Sequence, residues 1–188
     1  FLKHIPKVTT YRPPIVKHYF VSRSFDQITQ QVDIDKLTTV INQKLDEIRP
    51  SDIQNEIKQK VLLRLEEILS SSQHFSSYKP FIYGSAGTDF CQANSDFDVA
   101  LISKEELSLP LETKLELLKE LLGRRSDFEE LHIYGGQKPV LKSNFYGSDA
   151  DISFDHLIGV INTRYLQIYS SIDSRLMQLV LLIKVWAK

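Results

Sequence analysis

One helical stretch set among short strand-like runs constrains the fold of this chain more than any other feature. Leucines recur at three- and four-residue steps from about Pro110 to Leu122, and Gly123 follows as a candidate C-cap. The runs around it are short and bounded by turn residues, and they lie at 80–83, 97–102, 128–134, 138–145 and 150–154. Strands with a single crossover helix do not build a doubly wound parallel sheet. The order therefore predicts an α+β fold with a small mixed or antiparallel sheet flanked by helices.

Helical periodicity surrounds this strand region. Apolar residues recur at helical spacing over 25–48, and Ser51 with Gln54 predicts a capping box at the start of a second helix. Helical spacing returns from Asn162, with a break expected near Asp173, which can cap the final segment. The spacing then runs to Lys188 without a stop signal, so we expect the protein to continue beyond it. These changes predict four segments, at 1–24, 25–76, 77–162 and 163–188.

Composition excludes several classes of protein. Lys and Arg number 23 and Asp and Glu number 24, so a net charge of −1 gives no global attraction to a polyanion. The single cysteine, Cys91, excludes an intrachain disulfide framework and a multi-cysteine zinc site. It fits a reducing intracellular compartment, and we expect the cytoplasm or nucleus rather than an organelle. The apolar run at 176–183 is too short for a bilayer span of about 20 residues, which predicts no membrane partner.

The first 23 residues hold an uneven share of the charge. They contain five Lys or Arg and no acid, together with Pro6, Pro13 and Pro14, which favour an extended basic arm over 1–24. Such an arm could contact RNA or a protein partner. A solvated tail or a trimmed targeting remnant explains the same composition. The prolines argue against an amphipathic transit helix.

Two carboxylates two residues apart are the main chemical signal. Asp96 and Asp98 lie at the start of a predicted strand, where side chains alternate, so both leave the same face. Like charges on one face repel and their desolvation costs several kcal/mol, and a bound divalent cation offsets both effects. Carboxylate oxygens suit Mg²⁺ or Mn²⁺ and could hold a pair of such ions. Taken alone, a solvent-facing pair at a strand end is the simpler interpretation.

Two further signals strengthen the catalytic interpretation. Gly84 and Ser85 follow a predicted strand, where glycine allows a tight backbone approach and serine can offer its hydroxyl and amide to a phosphate oxygen. Asp151 begins another strand after a turn, and a third carboxylate could complete a metal site or accept a proton from an attacking hydroxyl. Asp149 and Asp155 are weaker candidates, because one lies in the turn and the other ends the strand.

These motifs resemble the DNA polymerase β-type nucleotidyltransferase superfamily. The matching segments are 81–85, 94–98 and 151–154, and segments 160–163 and 182–188 are similar to terminal uridylyltransferases and non-canonical poly(A) polymerases. The resemblance implies a nucleotidyltransferase fold with its catalytic domain at 77–162. It also implies that 163–188 begins a truncated helical central domain, to which the N-terminal helices at 25–76 partly belong.

The resemblance implies a reaction and a set of residue roles. Such enzymes transfer a nucleotide from UTP or ATP to an RNA 3′-hydroxyl, without a template, and release pyrophosphate. The catalytic residues, which would hold two Mg²⁺ or Mn²⁺ ions, are Asp96, Asp98 and Asp151. The nucleotide-binding residues would be Gly84 and Ser85 at the triphosphate, Asn162 near the ribose, Thr163 near the base, and Lys184 and Lys188 at the phosphates.

Two other interpretations stay open at this point. The same acids could serve transfer to a small-molecule or protein hydroxyl, or the fold could be kept by an inactive structural subunit. Three acids together weigh against a subunit that performs no chemistry. The sequence does not choose between UTP and ATP, because the residues that select the base would lie beyond Lys188.

Overall fold

The computed structural model describes residues 33–93, 95–105 and 107–187. The predicted basic arm, the first part of the predicted N-terminal helices and Lys188 lie outside these residues. The chain divides into two compact units, 1–40 and 41–188. Of the first unit, residues 33–40 are described, and there Asp33 Oδ1 accepts a hydrogen bond of 2.9 Å from the Lys36 amide.

Helices and strands follow one another in the predicted order. They are α1 (Ile34–Ile48), α2 (Asp52–Ser70), β1 (Lys79–Tyr83), β2 (Phe97–Ile102), α3 (Leu111–Gly123), β3 (Phe128–Tyr134), β4 (Val140–Phe145), β5 (Ser148–Phe154), α4 (Leu157–Ile172) and α5 (Ser174–Trp186). In the described residues no helix combines the length and the apolar character that crossing a bilayer requires.

The strands form one mixed sheet in the order β1-β2-β5-β4-β3. β2 and β5 run parallel, and the other neighbouring pairs run antiparallel. The predicted α+β class with a small mixed sheet is therefore confirmed. The parallel pair arises because α3 and the β3–β4 hairpin intervene between β2 and β5 and return the chain to the same end of the sheet.

One face of the sheet holds the core. Alternate residues of β2 and β5, such as Val99 and Ile152, are fully buried in one cluster with Leu65 of α2 and Leu118 of α3. These helices supply the apolar stripes that the sequence periodicity indicated. The other positions of the same strands project to the opposite face, because strand side chains alternate. That opposite face contains the predicted acids.

Local signals at the helix ends are mostly as predicted. Ser51 Oγ accepts a 3.3 Å hydrogen bond from the Gln54 amide, and Gln54 Oε1 accepts a 2.9 Å bond from the Ser51 amide, which confirms the capping box. Gly123 is the last residue of α3 and not its cap, a position that Arg124 occupies. α4 begins at Leu157, before the predicted start at Asn162. A glycine in its first turn weakens the helical signal there.

Candidate active site

Opposed positions on neighbouring strands form one row across the sheet. Asp98 of β2 pairs with Tyr83 of β1 and with Asp151 of β5. Asp151 pairs in turn with Lys142 of β4, which pairs with His132 of β3. Directly opposed residues project to the same face of a sheet. Two acids that are distant along the chain therefore lie side by side.

Asp96 joins the other two acids from the position just before β2. It is exposed, and the alternation of the strand puts it on the same side as Asp98. Its negative charge contributes to the raised pKa of Asp98, which requires the two carboxylates to lie near one another. The structure thus brings all three predicted acids to one region of the open sheet face.

The electrostatics of this region oppose full ionisation of Asp98. Burial is the largest effect and raises the pKa of its carboxyl, and the charges of Asp151 and then Asp96 raise the pKa further. Lys142 acts in the opposite direction and lowers it. The ionised form of Asp98 is therefore costly where it stands, and a cation among the acids would relieve both the desolvation and the repulsion.

Lys142 places a positive charge directly beside Asp151. Its Nζ lies 3.0 Å from Asp151 Oδ1; the approach is off the hydrogen-bond direction, but at this distance the two groups form an ion pair. Pairing with Asp151 raises the pKa of the Lys142 ammonium. The Nζ also lies 5.6 Å from the centre of the Tyr134 ring. Lys142 therefore bridges the acids and the aromatic side chain at the edge of the sheet.

The chemistry of the donors suits a hard divalent cation. Among the side chains that the structure describes, no three His, Cys, Asp or Glu groups already stand at metal-ligand distances. The oxygen ligands that Mg²⁺ and Mn²⁺ prefer are nevertheless present in Asp96, Asp98 and Asp151. The partial burial of Asp98 and its raised pKa fit residues that receive a cation.

The loop after β1 passes directly against Asp98. Gly84 has φ +67°, and a Cβ at this position would stand 2.6 Å from Asp98 Oδ2. Only glycine permits this approach, because a side chain would be strained by the backbone angle and would also collide with the carboxylate. Ser85 follows in the same turn, and its carbonyl accepts a 3.2 Å hydrogen bond from the Thr88 amide. The predicted phosphate-binding turn and the predicted acids are therefore neighbours.

Thr163 of α4 holds the backbone of this loop. Its Oγ1 accepts a 2.8 Å hydrogen bond from the Gly84 amide and donates a 2.8 Å bond to the Gly159 carbonyl. Only 4% of the Thr163 surface is exposed. The structure gives this residue a contact with the loop, and its predicted place near the base stays a prediction.

Two more side chains of α4 fasten the same loop. Gln167 Nε2 donates a 2.6 Å hydrogen bond to the Gly87 carbonyl, and Ser170 Oγ donates a 2.9 Å bond to Asp89 Oδ2. With Thr163 they occupy positions i, i+4 and i+7, which form one face of a helix. The loop beside Asp98 is thus fixed along its length before any ligand binds.

The other predicted nucleotide-binding residues lie around this loop. Lys184 of α5 donates a 2.9 Å hydrogen bond from its Nζ to the Phe90 carbonyl, at the far end of the loop from Ser85. Asn162 is exposed on α4. Lys188 lies outside the described residues. The structure therefore gathers the loop, α4 and α5 on one side of the acids and leaves Lys142 on the other.

We predict that Thr163→Val weakens the fold through the loop. The substitution keeps the size of the side chain but leaves the half-buried Gly84 amide without its acceptor. An unsatisfied buried donor costs about 1–3 kcal/mol. Because this amide is only half-buried, the free energy of unfolding should fall by about 1 kcal/mol in urea titrations.

Thr163→Ser is the matched control for this prediction. It keeps the hydroxyl that accepts from Gly84 and removes one methyl group, so we expect a smaller loss than for valine. Equal losses for the two variants would show that packing, and not the hydrogen bond, holds the loop.

Sequence analysis did not single out several residues of this region. Gln167 and Ser170 could have been found, since their spacing from Thr163 is that of a polar helix face. Lys142 has no comparable local signal. Its importance depends on strand register, which places it opposite Asp151.

Several known proteins are similar to this chain in sequence. Poly(A) RNA polymerase GLD2-A of Xenopus laevis is 29% identical over an alignment of 198 positions, which covers 97% of this chain and 38% of that protein. Poly(A) RNA polymerase cid11 of Schizosaccharomyces pombe is 27% identical over 165 residues, with 87% and 34% covered. Poly(A) RNA polymerase gld-2 homolog A of Drosophila melanogaster is 26% identical over 122 residues, with 62% and 9% covered. The chain spans well under half the length of these relatives.

Solved structures share the fold. A GLD-2/RNP-8 complex superposes with a TM-score of 0.74 at 22% identity, over 83% of this chain and 50% of that chain. A cytoplasmic RNA terminal U-transferase superposes with a TM-score of 0.69 at 25% identity, over 81% and 45%. A family model, described as "Poly(A) RNA polymerase, mitochondrial-like, central palm domain", matches residues 37–171, well over half of the chain. The row of acids and the loop beside it lie within this match, and the chain belongs to the family of mitochondrial-like poly(A) RNA polymerase central palm domains.

Proposed function

We propose that the protein containing this chain is a template-independent RNA 3′-terminal nucleotidyltransferase. It adds UMP or AMP from the nucleoside triphosphate to an RNA 3′-hydroxyl and releases pyrophosphate. The observation that carries the proposal is the direct pairing of Asp98 with Asp151, with Asp96 close by, on the open face of the sheet. The relatives named as poly(A) RNA polymerases support the same reaction class.

Asp96, Asp98 and Asp151 would hold two Mg²⁺ or Mn²⁺ ions, which when bound supply Lewis-acid stabilisation to the reacting phosphate and the leaving pyrophosphate. Among the three acids, Asp151 stands between Asp98 and Lys142. Its carboxylate is our candidate for accepting the proton as the 3′-hydroxyl attacks the α-phosphorus.

The loop after β1, which hydrogen bonds attach to α4, is the candidate site for the triphosphate. Ser85 can offer its hydroxyl to a phosphate oxygen, and the hydrogen bond from Gly84 to Thr163 keeps the turn in one conformation. Lys184, whose Nζ donates a hydrogen bond to the Phe90 carbonyl of this loop, is the candidate for a phosphate oxygen. Asn162, exposed on the adjacent helix, is the candidate for the ribose.

RNA and protein contacts outside the active site are also part of the proposal. The basic arm at 1–24 is our candidate for an additional contact with RNA or with a protein partner. One solved relative is a complex of GLD-2 with RNP-8, which makes a protein partner a reasonable expectation. We expect the reaction to take place inside the cell.

A primer-extension assay tests the reaction. The complete protein is incubated with Mg²⁺, a 5′-labelled RNA and each ribonucleotide in turn, and we expect extension with UTP or ATP. The same RNA ending in a 3′-deoxynucleotide is the control, because it lacks the attacking hydroxyl. Extension also identifies the preferred nucleotide, which the sequence leaves open.

Each negative result of this assay points to a different alternative. Transfer of nucleotide label to a protein or small molecule, with the RNA unchanged, would favour another acceptor. Nucleotide binding without transfer to any acceptor would favour a structural subunit. Either outcome would contradict the proposed function.

A further inference from the structure

Lys142 forms an ion pair with Asp151, and the proposed function gives this lysine no role. It stands directly opposite Asp151 in the antiparallel pair of β4 and β5, with 3.0 Å between Nζ and Asp151 Oδ1. Asp151 stands opposite Asp98 on its other side. The two neighbours of Asp151 in the row are therefore an acid and a base, each one strand away.

This arrangement acts on each oxygen of Asp151 differently. The ammonium attracts Oδ1 toward β4, and the negative charge of Asp98 repels the carboxylate from the β2 side. With Oδ1 drawn toward β4, the directions available to Oδ2 are restricted. The side chain of Asp151 is only 21% exposed, so solvent does little to reorient it.

Lys142 is itself kept in place by its surroundings. Its ammonium lies 5.6 Å from the centre of the Tyr134 ring on β3, within the range of a cation–π contact. Lys142 lines a cavity of about 180 Å³ together with Tyr134, Asn144, Asp149 and Asp151. Contacts on two strands limit the rotamers of this half-exposed lysine.

We propose that Lys142 is a positioning residue, which holds the carboxylate of Asp151 in the orientation that the reaction requires. The inference rests on the proposed function, since it assigns a task to Asp151. It differs from two simpler roles for the same lysine. One is a counter-charge that only neutralises the acids, and the other is a contact with a phosphate of the acceptor RNA in the adjoining cavity.

Metal binding distinguishes positioning from neutralisation, because the two roles predict opposite signs. A lysine that only neutralises the acids also repels a divalent cation, so its removal would tighten Mn²⁺ binding. A lysine that orients Asp151 helps the carboxylate to bind, and partners that orient metal ligands typically contribute about 10–100-fold in affinity or activity. We therefore expect Lys142→Met to weaken the binding of Mn²⁺ about tenfold or more, and Lys142→Arg to restore most of it.

The experiment titrates Mn²⁺ alone into the complete protein, followed by electron paramagnetic resonance, without nucleotide or RNA. Asp151→Asn gives the affinity of a protein that lacks this ligand. Lys79→Met is the control for loss of a lysine ion pair, because Lys79 forms a more exposed pair with Glu66, at 2.7 Å, away from the acids. We expect Lys79→Met to bind Mn²⁺ like the wild type.

Steady-state kinetics distinguish positioning from an RNA contact. Misplacing Asp151 should lower kcat about 10–100-fold at saturating RNA, with little change in KM for RNA. An RNA contact would instead raise KM for RNA and leave kcat near that of the wild type. That result, or unchanged or tighter Mn²⁺ binding by Lys142→Met, would overturn the inference and leave the proposed function standing. Equal Mn²⁺ affinities of wild type and Asp151→Asn would overturn both, because Asp151 would then not be a ligand.

Discussion

Asp98→Asn or Asp151→Asn is expected to lower nucleotide transfer by about 10³-fold. Each change removes a carboxylate from the paired acids and keeps the shape of the side chain. A metal ligand contributes several kcal/mol of transition-state stabilisation, and each 1.36 kcal/mol corresponds to about tenfold in rate. Rates of primer extension at saturating RNA and nucleotide measure the loss.

Thermal denaturation shows whether these variants stay folded. At neutral pH the ionised Asp98 opposes folding, since burial and the charges of Asp151 and Asp96 raise its pKa above the ordinary value. Removing this charge should leave the melting temperature of the metal-free protein equal to or above that of the wild type. We also expect Mg²⁺ to stabilise the wild type more than either variant.

Asp149→Asn is the matched control for the loss of transfer. Asp149 lies two positions before Asp151 on the same strand, and its Oδ1 accepts a 3.1 Å hydrogen bond from Asn144. It takes no part in the paired acids, so the variant should keep its rate within a few-fold of the wild type. A loss as large as that of Asp151→Asn would mean that the third acid was assigned to the wrong residue.

Gly84→Ala is expected to lower transfer about a hundredfold, with a much smaller effect on folding. The new methyl group would stand 2.6 Å from Asp98 Oδ2, so the carboxylate must move. A displacement of about 1 Å in a catalytic group can cost about 10²-fold in rate. The backbone at φ +67° adds strain of about 1–2 kcal/mol, which urea titrations of the variant measure.

Gly147→Ala distinguishes the steric clash with Asp98 from the backbone strain of a positive φ. Gly147 has φ +78°, and a Cβ there would meet nothing within 4 Å. The two alanine variants should therefore lose similar free energies of unfolding, of about 1–2 kcal/mol, while Gly147→Ala keeps its activity. If both variants lose activity alike, backbone strain and not contact with Asp98 explains the effect.

Local patterns were sufficient to predict the fold class and most of the elements. Alternation in the strand after Asp96 placed two acids on one face, and the capping pattern at Ser51 located the start of α2. These features depend on neighbours within a few positions, which a single sequence displays. The start of α4 was missed for the same reason, since Gly159 interrupts the local pattern and tertiary packing overrides it.

Features that depend on register could not be predicted. The partner of Asp151 on β4 is set by how the β4–β5 turn aligns the two strands, and a shift of one residue would replace Lys142 with a neighbour that faces the core. The task of Thr163 is hidden in the same way. Its hydroxyl can accept a hydrogen bond from Gly84 only when α4 packs beside β1. The residues next to Thr163 and Gly84 in the sequence do not predict this contact.

Among the strands of the described residues, the one that is synthesised last, β5, occupies the centre of the sheet. β5 inserts between β2 and β4, so a nascent polypeptide that ends before Asp151 has an incomplete sheet as well as an incomplete set of acids. Contacts between such distant segments form late, because their loop-closure entropy must be overcome first. Asp151 should consequently reach Asp98 and Asp96 only once β5 has entered the sheet.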